Sequence, residues 1–135
     1  MNISNQEDWV KCLKDAKEAK GELKVEKDGE ETTFPAFRVG DSGLFVTAFF
    51  GTGTGGQFTD GVSVNVSKDH LGEEVGPSDG SIIYWKQGQS FSWYEGNLKV
   101  SRDDVGNLYF GSLSAKFTGA PVEELIGGIF SVGKV

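Results

Sequence analysis

Apolar and polar residues alternate along most of this chain, and the period of the alternation changes once. Over residues 5–19 the apolar positions keep helical spacing. Trp9, Leu13 and Ala16 fall at i, i+4 and i+7, with Val10 and Cys12 beside them. Lys11, Lys14, Lys17 and Glu18 fill the opposite face. Ser4 followed by Glu7 fits a capping box, in which two side chains satisfy free amides at a helix start. Gly21 stands where such a helix would stop. The pattern therefore predicts one N-terminal helix within residues 1–20, covering an open end or face of the β structure.

From residue 21 onward the period is two, the spacing of strands. Leu23 and Val25 alternate with Glu22, Lys24 and Glu26, and Asp28-Gly29 is a two-residue hairpin signal. The return strand runs from Glu30 to Val39. Pro35 inside it predicts an edge or a break, because proline donates no ladder hydrogen bond. Leu44 to Phe50 is apolar on both faces and reads as fully buried. Val62, Val64 and Val66 alternate with Ser63, Asn65 and Ser67, which predicts one wet face. A loop from Lys68 to Gly80 precedes a meander over Ser81–Gln87, Ser90–Glu95 and Asn97–Ser101, with a turn or bulge at Gly96. Tyr109, Leu113, Ala115 and Phe117 share a face of the next strand. Ile126, Gly128, Phe130 and Val132 share a face of the last. Eight or nine strands come after one helix, as an antiparallel β-sandwich or flattened β-barrel. Residues 1–135 read as a single domain, with the β part over 21–135.

Composition narrows this further. Glycine accounts for 20 of 135 residues, about twice its average share of roughly 7%, and falls between the apolar runs as turn residues do. The formal net charge is −7, with no basic stripe, which argues against nucleic acid and against an anionic membrane surface. A basic protein partner would be attracted. One cysteine, Cys12, allows no intrachain disulfide. Residues 1–20 carry no apolar leader, so a soluble cytoplasmic protein is expected.

Candidate chemistry is thin. Gly51-Thr52-Gly53-Thr54-Gly55-Gly56 matches G-x-G-x-x-G. A dinucleotide site needs a helix after it, and here a valine-alternating strand comes next. The segment reads as a strand connection. His70 is the only histidine and lies in a polar loop beside Asp69. The carboxylate pairs Glu73-Glu74, Asp103-Asp104 and Glu123-Glu124 point apart on strands or loops, so none is a glycosidase pair by itself. Asp103, Asp104 and Asn107 hold oxygen donors, but not at EF-hand spacing. No catalytic residue, cofactor site or metal site is assigned.

The aromatic cluster Tyr84, Trp85, Phe91, Trp93 and Tyr94 spans two adjacent strands. Alternation sends Tyr84 and Trp85, and likewise Trp93 and Tyr94, to opposite faces. One set packs the core and the other is available to a partner or a sugar ring.

From Gly96 onward the chain resembles small bacterial β-sandwich or barrel domains of unknown function. The carrying residues are Gly96-Asn97-Leu98-Lys99-Val100, Asp104-Val105-Gly106-Asn107-Leu108, Gly111 to Phe117, and Ile126 to Val132. That resemblance implies a β domain, frequently an exported lipoprotein, and brings no catalytic residue with it. The function expected is a non-enzymatic protein-binding module, such as an acidic inhibitor or immunity-type protein occluding a basic partner. Glu73, Glu74 and Asp79 would steer the partner, and Trp85, Trp93 or Tyr94 would anchor it. The alternative is a barrel or sandwich that binds a small ligand or carbohydrate.

Overall fold

A computed structural model describes residues 13–54, 56–103, 105 and 108–135. Nine antiparallel strands run through them: β1 (Lys17–Lys27), β2 (Glu30–Gly40), β3 (Phe45–Thr54), β4 (Gln57–Ser67), β5 (Glu74–Val75), β6 (Gly80–Lys86), β7 (Gln89–Arg102), β8 (Leu108–Phe117) and β9 (Glu124–Lys134). Eight of them close into a barrel. The sheet runs β6-β4-β3-β2-β1-β9-β8, and the long β7 joins its two ends by pairing with both β6 and β8. The choice between sandwich and barrel thus resolves to a closed barrel, with unpaired edge left at β5 and along the first half of β2.

Local sequence explains the closure. Asp28 and Gly29 both take positive φ, 51° and 84°, and join β1 to β2 as a two-residue turn with Lys27 opposite Glu30. The β7 strand passes straight through Gly96, which is a bend within the strand rather than a turn. Gly96 has φ +138°, and a Cβ there would lie 2.0 Å from the Ser114 carbonyl oxygen. Gln89–Ser92 pair with β6, and from Trp93 onward, ahead of Gly96, the strand pairs with β8, with a register shift between Trp93 and Glu95. Where β7 leaves β6 a gap would open in the wall. The segment 68–80 closes it, with a 3-10 turn at Lys68–His70 followed by β5 laid along Leu98 and Lys99. Val75 is buried in the core as a result. The long loop is therefore part of the wall.

The interior is filled. Rows of inward side chains cross the strands, Ala48–Val64–Ile82 and Phe50–Val62–Tyr84 among them. Phe50 packs on Phe130 at 5.4 Å between ring centroids, and Tyr84 on Phe117 at 6.1 Å. At one end Tyr109 Oη donates to Asp41 Oδ2 at 2.8 Å, and Lys134 Nζ lies 2.6 Å from Asp41 Oδ1.

Several expectations change. Of the helix expected over 5–19, residues 5–12 lie outside the described residues. Leu13–Asp15 is one helical turn, and Lys17 already begins β1. The stretch Lys17–Lys20 is rich in helix formers but is paired on both sides, Glu18 with Arg38 and Ala19 with Lys134, so tertiary pairing overrides propensity. Gly21 lies inside the strand. Of the edge or break expected at Pro35, the edge is what is found, and β2 runs through the proline unbroken. Pro35 sits where β2 is paired with β1 alone, because pairing with β3 starts only at Ala36. The glycine segment is a hairpin in which Gly51 faces Gly61, and a Cβ on either would lie 2.0 Å from a carbonyl oxygen across the ladder. The expected wet face of β4 is buried at Ser63 and Asn65. On β9 Leu125 turns inward and Ile126 outward, the reverse of strict alternation.

Candidate interaction surface

The outer faces of two barrel walls have opposite character. On the β3–β4–β6 wall, outward residues form rows Thr47–Asn65–Ser81 and Phe49–Ser63–Ile83, all buried. Phe37, Phe49, Phe58, Ile83 and Trp85 make a second apolar cluster there with Leu13. Two hydrogen bonds join polar atoms on this wall, and Asn65 Oδ1 accepts none among the described residues. Asn65 Nδ2 donates to Thr47 Oγ1 at 2.7 Å, and Trp85 Nε1 donates to Ser63 Oγ at 2.8 Å.

On the β1–β9–β8 wall the outward side chains are open. Leu108, Phe110, Ile126 and Ile129 are exposed, Ile129 at 70%. Phe110 lies opposite Ser131, which makes it a diagonal neighbour of Ile129, close enough for long side chains to meet. A groove of about 620 Å³ runs beside this strip, lined by Glu22, Lys24 and Glu26 of β1, Glu31 of β2, and Gly127 and Ile129 of β9. Its origin is a bulge. Lys24 pairs with Ile129 and Glu26 with Ile126, so Gly127 and Gly128 stand against the single residue Val25. Gly127 brings no side chain to the outer wall and lines the hollow, while Gly128 turns inward against Leu113. Ser114 Oγ accepts from Gly127 N at 3.1 Å and holds the bulge. Asp28 Oδ1 accepts from the amides of Glu123 and Glu124 at 2.9 Å each, tying the β1–β2 turn to the start of β9.

The sequence-expected site residues divide. Trp85 and Trp93 are 4% and 5% exposed, one in the outer cluster and one in the barrel core, so neither presents a surface to a partner. The physical reason for Trp85 is that its outward face lies on the covered wall. Tyr94 is 57% exposed. Glu73, Glu74 and Asp79 are exposed along segment 68–80, and Glu73 Oε2 faces His70 Nδ1 at 3.5 Å. Beside Tyr94, Glu95 pairs with Lys116 at 3.2 Å. That hydrogen bond, with the Glu95 and Tyr94 charges, raises the lysine's pKa. The loop carboxylates and Tyr94 therefore lie on exposed surface, while the groove carries a second acidic set that alternation alone did not single out. Its signal in the sequence was Leu125-Ile126-Gly127-Gly128-Ile129-Phe130, where two glycines interrupt the alternation.

Among the described residues, no three or more of His, Cys, Asp and Glu come together as a metal site. Asp103 Oδ1 accepts from Val105 N at 3.0 Å, while Asp104 and Asn107 lie outside the described residues. Cys12 does too. Compared with protein-family models, with curated proteins and with solved structures, the chain matches none.

Proposed function

We propose that this protein is a non-enzymatic binding module that occludes a basic protein partner, in the manner of an acidic inhibitor or immunity protein. The observation that carries this reading is the open barrel wall, where exposed aliphatic and aromatic side chains stand among carboxylates on a molecule of net charge −7. An apolar patch left in water on a small acidic domain is the composition of a docking face. Glu73, Glu74 and Asp79 add long-range attraction and Tyr94 an exposed ring, while Trp85 and Trp93 serve the fold. Charge of this kind acts on the rate of encounter more than on the lifetime of the complex. The alternative, a small-ligand or carbohydrate binder, needs an open interior or an exposed aromatic platform; Phe50, Tyr84, Tyr109 and Phe117 occupy the interior, which weighs against a ligand held inside the barrel. The likeness of the C-terminal strands to small bacterial β domains is compatible with either reading.

The test is capture on immobilised protein at low salt, elution by a salt step, and association kinetics of the eluted protein. The reading expects one basic protein at stoichiometric ratio, its association rate falling about tenfold or more from low to high salt. No retained protein, or a rate indifferent to salt, contradicts it.

A further inference from the structure

The groove between β1 and β9 has features that select an occupant. Its wall carries Glu22, Glu26 and Glu31 against one lysine, Lys24. Glu22 has a half-exposed side chain whose Oε2 accepts no hydrogen bond among the described residues and faces Lys24 Nζ at 3.8 Å. Lys24 at that distance makes no hydrogen bond to this carboxylate, and a guanidinium entering the groove would supply two parallel donors to it. Ile129 stands exposed beside it at the glycine hollow. A second copy of this chain fits poorly. A two-fold interface through this wall would set the same carboxylates against one another.

We propose that this groove receives an arginine-bearing, apolar segment of a basic protein. An aliphatic side chain packs on Ile129 over Gly127, and an arginine bonds Glu22, with the facing pair Glu26 and Glu31 adding negative charge further along the groove. This rests on the reading of the protein as a module for a basic partner, and assigns the contact to the groove rather than to the loop at Glu73, Glu74 and Asp79.

The experiment is an amide NMR titration of the full chain with a short peptide alternating arginine and leucine, beside its glutamate–leucine counterpart. The proposal expects shifts centred on Glu22, Glu26, Glu31, Gly127 and Ile129 with the arginine peptide only. Both Ile129→Thr and Glu22→Gln should weaken binding about tenfold, with the rest of the spectrum unchanged, while the triple variant E73Q/E74Q/D79N should keep the same contact map. Shifts centred on residues 73–79 and Tyr94, or insensitivity to Ile129→Thr, overturn the groove and leave the basic-partner reading standing. Concentration-dependent shifts at Ile129 without peptide overturn it in favour of self-association. Equal binding of both peptides, or of neither, overturns the proposal and the basic-partner reading together.

Discussion

The two walls of this barrel are built from the same alternation and use their outer faces in opposite ways. On β3–β4–β6 the outward residues include serine, asparagine and threonine, and they are buried. On β8–β9 the outward residues include phenylalanine and two isoleucines, and they are exposed. Polarity along a strand therefore misjudges burial on both walls. A strand reports which residues share a face. It does not report whether another part of the chain covers that face.

Substitutions on the closed wall should have the largest effect. Trp85→Ala removes a buried indole, its T-shaped contact with Phe58 and the donor to Ser63. It should cost about 3–5 kcal/mol in urea unfolding. A cost near that of a surface substitution would mean that this wall is not a core. Next comes the pin between the β1–β2 turn and the start of β9. Asp28→Ala removes an acceptor shared by two amides and a residue tolerant of positive φ, and should cost about 1–2 kcal/mol.

The end of the open wall responds to pH. Burial opposes the charge of Asp41, but hydrogen bonds from Lys134 and Tyr109, and the charges of Lys134 and Lys68, outweigh it and hold its pKa below the ordinary value. The stability this carboxylate contributes is present above about pH 4 and is lost as pH falls through its lower folded value. Tyr109 behaves with the opposite sign. Burial first, then the bond to Asp41, pushes its pKa up to about 12. Its contribution is complete below about pH 10 and drains as pH rises toward the folded value. Unfolding free energy measured against pH should show both losses, with Asp41→Asn flattening the acid one and Tyr109→Phe the alkaline one. Unchanged slopes would contradict the cluster's role. The smallest effect is expected on the open wall itself. Ile129→Thr should change stability by no more than about 0.5 kcal/mol, so any larger loss would show that Ile129 is covered.

Much of the fold was legible. The Asp28-Gly29 turn and the shared face of Tyr109, Leu113, Ala115 and Phe117 follow from turn chemistry and period, as does the doubly apolar stretch Leu44–Phe50 except at its start, where Leu44 precedes β3 and is exposed and Phe45 is half-buried. Ring closure was not legible, because it depends on one strand exchanging partners between Ser92 and Trp93, where no turn residue marks the change, and on that strand continuing through Gly96, a residue that also reads as a turn. Lys17–Lys20 misled because local helix propensity there opposes pairing with two strands distant in sequence. Of the expected surface residues, the loop carboxylates and Tyr94 are exposed. Trp85 could not be placed from sequence, since its burial comes from a covered outer face. The groove was hidden for a related reason: a bulge shifts the register by one residue, and alternation assumes no shift.

The central claim is that outward side chains are shielded on one wall and open on the other. Isoleucine methyl relaxation by a soluble paramagnetic probe tests it most directly, because Ile82 points inward, Ile83 outward on the closed wall, and Ile129 outward on the open one. The account predicts that Ile82 and Ile83 are protected alike and Ile129 is strongly relaxed. An Ile83 methyl relaxed as much as that of Ile129 would contradict it.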